Sequence, residues 1–132
     1  MTTPEARVRP AKYWVSCLPD THKMASAFTI VVKYVPHYDG WALIHRGTHL
    51  DRDGVPSWGP SWPGDDKEPE TEEEERAAEE ARKAWAAEHY FPHDTALELA
   101  RTLAPGVEVA SWTATMVAAR DAEQAAGPDT AP

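Results

Sequence analysis

Two histidines and two aspartates within nine residues form the group of side chains best suited to holding a metal ion. They are His45, His49, Asp51 and Asp53, and imidazole and carboxylate groups are ligands that zinc and other divalent ions accept. A calcium loop needs acidic residues at its first and last ligand positions, where this chain has His49 and Pro60. A polar loop between two strands explains the same residues without a ligand. We therefore expect no bound metal and no cofactor.

The single cysteine, Cys17, is the candidate for covalent nucleophilic chemistry. A thiolate nucleophile needs a base and a third group that orients the base, and no family signature surrounds this residue. A cysteine in a strand is more often a small buried apolar side chain. We expect Cys17 to be buried, and we assign no catalytic residue. One cysteine also excludes an internal disulfide, which fits a reducing cytoplasm.

Trp58 and Trp62 lie in a tandem repeat, Pro-Ser-Trp-Gly followed by Pro-Ser-Trp-Pro, inside a segment rich in proline and glycine. Strand periodicity does not explain tryptophan at these positions. An exposed pair could anchor a protein partner, because tryptophan is enriched at binding hot spots. The alternative, which we favour, is that both rings fold back as a lid over an open face of the sheet, since a small domain needs all its apolar surface.

The net charge of −9 is concentrated in one acidic segment. Residues 65–80 carry ten acidic and two basic side chains, so this stretch alone contributes −8. Direct binding to nucleic acid is not expected, because that affinity depends on Lys and Arg neutralising phosphates. A charge run is usually a solvated face. Two alternatives stay open: Glu72 and Glu73 could contact a basic protein partner, or the segment could imitate nucleic-acid phosphate in an inhibitor.

Alternating apolar residues predict an antiparallel β-meander in the first half of the chain. The clearest strand is 26–35, and its apolar face carries Phe28, Ile30, Val32 and Tyr34. Shorter strands are predicted at 13–17 and 41–45, and the Asp-Gly pair in 36–40 favours a hairpin turn before the latter. Three prolines in 54–64 allow at most an edge strand there.

Helical spacing and capping residues predict two or three helices in the second half. Thr71 and Glu74 match a capping box, and the first helix ends by Pro92. Its apolar stripe consists of Ala77, Ala78, Ala81, Ala84, Trp85 and His89. Trp85 supplies nearly all the bulk of this stripe, so we expect it to anchor the helix. Asp94 is predicted to cap a second helix and Thr113 a third, which ends at about Arg120.

These elements predict an α+β fold, a small antiparallel β-meander of three to four strands with two to three helices packed on one face. A chain of 132 residues fits one domain. The predicted parts are a β-meander and Trp/Pro segment at 12–62, an acidic linker at 63–70 and a helical part at 71–120, which together form one domain, 12–120. Both ends, 1–11 and 121–132, are predicted to be disordered tails because they lack apolar periodicity.

Three short segments carry a resemblance to known proteins. They are Tyr13-Trp14-Val15-Ser16, Gly40-Trp41-Ala42-Leu43 and Asp94-Thr95-Ala96-Leu97-Glu98-Leu99-Ala100. With these segments the pattern resembles small uncharacterised proteins of actinobacteria and their phages. The chain has 22 alanines and no asparagine, a usage that also indicates a high-GC genome. The resemblance implies no activity and no site residue.

The sequence therefore predicts a cytoplasmic, non-enzymatic accessory or protein-interaction domain that binds a protein partner. Trp58, Trp62, Glu72 and Glu73 are the expected contact residues. No stretch reaches the roughly 20 apolar residues of a membrane span, and no secretory signal is visible. The alternatives are a metal-dependent enzyme or metal-binding domain that uses the His/Asp group, and an acidic inhibitor that mimics nucleic acid.

Overall fold

A computed structural model describes residues 3–59 and 69–126 of the chain. The described elements, in chain order, are β1 (Lys12–Val15), β2 (Ile30–Val35), β3 (Gly40–His45), β4 (Thr48–Leu50), β5 (Pro56–Ser57), α1 (Glu72–His89), β6 (Tyr90–Phe91), α2 (His93–Leu103), β7 (Glu108–Val109), β8 (Trp112–Thr113) and α3 (Ala114–Ala126). Strands precede helices along most of the chain, and the predicted α+β class is confirmed.

The main sheet is an antiparallel meander with the strand order β1-β2-β3-β4-β5. β6 joins this sheet by pairing with β3, where Trp41 lies opposite Phe91 and Ala42 opposite Tyr90. β7 and β8 form a separate two-stranded sheet. The described residues thus contain more strands than the three to four predicted, because short strands such as β4 and β6 carry too few residues to show an alternating pattern.

Strand β2 is the centre of the core, as its alternation predicts. Ile30 and Val32 are fully buried, whereas Lys33, the residue after Val32, is exposed. The strand begins later than predicted, since Ser26–Phe28 forms a turn of 3₁₀ helix. Phe28 is buried there and still joins the core, so the predicted burial is right although the backbone differs.

A tight turn that the residue pattern did not reveal connects β3 to β4. Arg46 and Gly47 both have positive φ angles, 50° and 84°, as the two central residues of a primed hairpin turn require. The Thr48 hydroxyl donates to the His45 carbonyl across this turn at 2.7 Å. The consequence is that His45 and His49 lie in two paired strands and not in a loop.

Two of the three predicted helix caps are present. The Glu74 amide donates to the Thr71 hydroxyl at 3.1 Å, and the Met116 amide donates to the Thr113 hydroxyl at 3.2 Å. Asp94 does not cap α2, because the residue before the first turn is Pro92 and no side chain bonds to the free amides. Helix α3 also continues past the predicted end at Arg120 to Ala126.

The helices lie on both faces of the sheet, which differs from the predicted one-sided packing. Helices α2 and α3 place small residues such as Ala96, Ala100 and Val117 in the core cluster with β2 and β3. We call this face of the sheet the core face. Trp85 of α1 instead contacts His49 and Tyr90, whose side chains the strand register places on the opposite, outer face. Pro92 and the short strand β6 reverse the chain between the two sides.

Candidate protein-interaction surface

Five side chains form a continuous row across the outer face, one from each strand of the meander. The register places Trp14 opposite Val31, Val31 opposite Ile44, Ile44 opposite His49 and His49 opposite Ser57. We call these five residues the outer row. Because neighbouring strands lie about 4.8 Å apart, the row is roughly 19 Å long. Its two ends have different surroundings, and this difference defines the candidate site.

Helix α1 covers the end of the outer row at β4 and β5 through Trp85. The indole Nε1 donates to the Ser57 hydroxyl at 2.9 Å, and the ring centroid lies 5.0 Å from that of His49. Trp85 also stacks on His89, with centroids 4.3 Å apart, and the His89 Nδ1 bonds to the Trp85 carbonyl at 2.7 Å. The predicted stripe thus meets the sheet through its aromatic members.

Burial under α1 changes the chemistry of His49. Desolvation, followed by the nearby charges of His89 and Lys33, lowers the pKa of His49 below the usual 6.5. Its Nδ1 is buried, and among the described residues it has no hydrogen-bond partner. The ring is therefore a neutral packing group at neutral pH, held between the Trp85 and Tyr90 rings.

The other end of the outer row is open. Trp14, a large apolar side chain, is 77% exposed there. Beside it lies a groove of about 480 Å³. The groove is lined by Trp14, Ser16, Asp20, Ala25, Ser26, Thr29 and Val31. We call this the Trp14 groove. Its walls are mostly apolar, and Asp20 is its one charged lining residue.

Two lysines lie next to Trp14 and Val31 on the outer face, outside the lining of the Trp14 groove. Lys12 and Lys33 are directly opposite each other on β1 and β2, on the same outer face as Trp14 and Val31. Like charges at such a position repel one another, which is an unfavourable arrangement for a sheet. The first 33 residues carry five basic and two acidic side chains, a net +3 in a chain of net −9. An acidic partner would relieve this repulsion.

Strand β1 is a free edge of the sheet. The Tyr34 amide donates to the Ala11 carbonyl at 2.9 Å, so these two residues form a hydrogen-bonded pair in the antiparallel ladder. Bonded pairs alternate along such a ladder, so the backbone N–H and C=O groups of Lys12 and Trp14 point away from β2. Within residues 3–59 and 69–126, no backbone or side-chain group forms a hydrogen bond with these N–H and C=O groups of Lys12 and Trp14.

A chain of hydrogen bonds on the core face holds β1 in place. The Tyr13 hydroxyl lies 2.9 Å from the His93 Nε2, and the His93 Nδ1 lies 2.8 Å from an Asp94 carboxylate oxygen. With Nδ1 donating to the carboxylate, the His93 Nε2 accepts from the phenol. The Tyr13 and His93 rings also pack against Trp41. Asp94 thus positions His93 rather than capping α2, and the free edge is fixed to the helical layer.

The predicted metal-binding residues are not brought together. His45 lies on the core face, where its Nε2 bonds to the Ala27 carbonyl at 2.8 Å, whereas His49 lies on the outer face. Asp51 accepts from the amides of Asp53 and Val55, both at 2.9 Å, so its carboxylate closes a turn. Among the described residues, no three metal-ligating side chains form a group.

Of the four predicted partner-binding residues, the structure describes Trp58, Glu72 and Glu73, and all three are exposed. Trp58 is 83% exposed and lies beside Gly47 in the β3–β4 turn, so the preferred prediction that it folds over the sheet as a lid is wrong. Trp62 lies outside the described residues. Glu72 and Glu73 are exposed in the first turn of α1, where their charge suits the positive end of the helix.

Cys17 is exposed, so the predicted burial of this side chain is wrong. It follows the end of β1, where the chain leaves the sheet and the alternation that suggested burial no longer applies. None of the helices in the described ranges is long and apolar enough to cross a lipid bilayer.

Residue patterns did not identify Trp14, Lys12 and Lys33 as a surface. The signal that could have found it is strand parity. If Phe28, Ile30 and Val32 face the core, Val31 and Lys33 must face outward, and any residue paired with them across β1 shares that side. The pairing register is needed to place Trp14 there, and the register is visible in the structure and not in the residue types.

Comparison with known proteins gave no match to a family model, a curated protein or a solved structure.

Proposed function

We propose that this chain is a non-enzymatic protein-interaction module, cytoplasmic in a high-GC actinobacterium or one of its phages, that binds an acidic partner protein at the Trp14 groove. The observation that carries this proposal is the half-covered outer face. Helix α1 packs over His49 and Ser57, yet Trp14 at the far end of the same row is 77% exposed beside an apolar groove.

The cost of exposing Trp14 supports a role in binding. A tryptophan side chain presents about 150–250 Å² of surface, most of it apolar. A small domain gains stability by burying such surface, and α1 buries the opposite end of the row instead. Tryptophan is among the residues most enriched at binding hot spots, where one large side chain in a desolvated pocket dominates the affinity.

The charge distribution supports an acidic partner. Lys12 and Lys33 lie next to Trp14 and Val31 on the outer face, outside the lining of the groove, and an acidic chain with carboxylates opposite them would gain attraction and remove their mutual repulsion. Trp58 is also exposed, but it follows β5 at the opposite end of the outer row, outside the Trp14 groove, so it remains a predicted contact. Glu72 and Glu73, exposed in the first turn of α1, also remain predicted contacts, as does Trp62, which lies outside the described residues.

The proposal predicts the outcome of a peptide selection. A phage-displayed library of random peptides is selected on the wild-type protein, and the enriched clones are then tested on the Trp14→Ala and Trp58→Ala variants. We expect enriched sequences that combine acidic and large apolar residues. Their binding should be lost on Trp14→Ala and reduced less on Trp58→Ala.

Two controls make the selection decisive. Circular dichroism of each variant shows that it is folded, and Met116→Ala serves as a matched control because Met116 is an exposed apolar residue on α3. Enriched peptides that bind Trp14→Ala as well as wild type would contradict the proposal. Selection of basic sequences that depend on Glu72 and Glu73 would instead favour the acidic segment as the contact surface.

A further inference from the structure

We infer that the partner contributes an extended segment that adds as a new strand to the edge of β1, with an acidic residue opposite Lys12 and an apolar residue opposite Trp14. This inference deepens the proposed function and rests on it. It specifies the backbone conformation of the bound segment and its register, neither of which follows from an exposed tryptophan alone.

The free edge of β1 supplies the hydrogen bonds. The N–H and C=O groups of Lys12 and Trp14 point away from β2, and an added strand bonds to such groups at every second residue. The opposite edge of the meander is less suitable, because β5 has two residues and begins with Pro56, which has no N–H group. β1 has four residues and contains no proline.

Side-chain direction sets the sequence that the edge prefers. An added strand presents alternate residues to the outer face, in line with Lys12 and Trp14 of β1 and with Ser16, which follows β1 and lines the groove with Trp14. A carboxylate beside Lys12 also lies near Lys33 and meets two positive charges. An apolar residue beside Trp14 covers the indole, and an apolar residue beside Ser16 enters the Trp14 groove.

A second copy of this chain fits the edge less well than an acidic partner. Pairing two β1 strands edge to edge would bring together two chain segments of net +3 each. Like charges across an interface disfavour association. A four-residue strand also buries far less surface than the roughly 1,200 Å² of a stable interface. A short segment of a partner protein needs only a weak, reversible contact.

The probe is a capped five-residue peptide, Leu-Thr-Val-Thr-Glu, designed to run antiparallel to β1 with its valine opposite Trp14 and its glutamate opposite Lys12. It is titrated into the ¹⁵N-labelled full chain at millimolar concentration. We expect saturable shifts of the backbone amides of Lys12, Trp14 and Val31. Hydrogen exchange at the Trp14 amide should slow, because that N–H gains a partner.

Two matched peptides separate the contribution of the ion pair to binding from that of the backbone hydrogen bond. Replacing the glutamate by lysine should weaken binding by about two- to fivefold, the size of an exposed ion pair. Methylating the valine nitrogen keeps every side chain but removes the N–H that the Trp14 carbonyl would accept, and should weaken binding by about tenfold. Lys12→Gln in the protein should reproduce the effect of the lysine peptide while leaving the fold intact, since Lys12 is exposed.

Each contrary result overturns the inference in a recognisable way. If the methylated peptide binds as well as the parent, the groove holds side chains without strand pairing, and the proposed function stands while strand addition fails. If none of the peptides causes a shift, strand addition at β1 fails, and the library selection alone judges the proposed function. If the free protein sediments as a dimer that Trp14→Ala dissociates, a second copy occupies the edge.

Discussion

Loss of Trp85, which covers one end of the outer row, should destabilise the protein far more than loss of Trp14 at the open end. A buried Trp→Ala replacement costs ~3–5 kcal/mol. Trp85 is mostly buried, so its lost packing, together with ~1 kcal/mol for its hydrogen bond to Ser57, gives about 3–5 kcal/mol for Trp85→Ala. Trp14 is 77% exposed, so Trp14→Ala should change the free energy of unfolding by no more than about 0.5 kcal/mol.

Urea denaturation followed by far-ultraviolet circular dichroism measures both values without relying on tryptophan fluorescence, which the variants themselves alter. A domain of this size has about 5–15 kcal/mol of stability in total, so the loss at Trp85 is easily resolved. Equal effects of the two substitutions would refute the argument that α1 covers one end of the row and leaves the other open. A large loss at Trp14 alone would show that Trp14 is a core residue.

Three further predictions follow from particular contacts. The pKa of His49 is lowered in the folded state, so the unfolded chain binds more protons as the pH falls below 6.5. The stability present above pH 6.5 is therefore lost as the pH falls toward the lowered pKa. In His49→Gln, the free energy of unfolding should decrease less over this pH range. Thr71→Ala removes the α1 cap and should cost about 1 kcal/mol by urea denaturation, whereas Glu73→Ala should stay within about 0.5 kcal/mol. Tyr13→Phe breaks the bond to His93 and should cost about 1 kcal/mol, with faster amide exchange along β1.

Each of these three predictions has a result that would contradict it. An unchanged acid limb in His49→Gln would mean that other groups set the pH dependence. Equal losses at Thr71 and Glu73 would mean that the cap contributes nothing measurable. Unchanged exchange in Tyr13→Phe would mean that β1 is held by its pairing with β2 alone.

Local residue chemistry predicted much of the fold. The alternation around Ile30 and Val32, the caps at Thr71 and Thr113, and the class α+β all follow from short-range rules and are present in the structure. The packing of a helix on the outer face of the sheet was not predictable from such short-range rules. Placing α1 on the outer face depends on β6, a two-residue strand that contains no repeat from which a period could be read.

Short-range rules also failed to predict the candidate site. His45 and His49 are close in sequence and looked like joint metal ligands, but the tight turn at Arg46 and Gly47 sends them to opposite faces of the sheet. Trp14 carries no local mark of exposure, because its neighbours are typical strand residues. Its position depends on a partner strand sixteen or more residues away in the chain, which only the paired register reveals.

Binding at the Trp14 groove can be observed directly through the six indole N–H signals of the protein, recorded by NMR while a library-selected peptide is added. We expect the Trp14 signal to shift most and to saturate together with the backbone amides of Lys12 and Val31, while the signal of Trp85, whose indole N–H already bonds to Ser57, stays in place. A titration in which Trp14 is unmoved and Trp58 or Trp62 alone responds would contradict binding at the Trp14 groove.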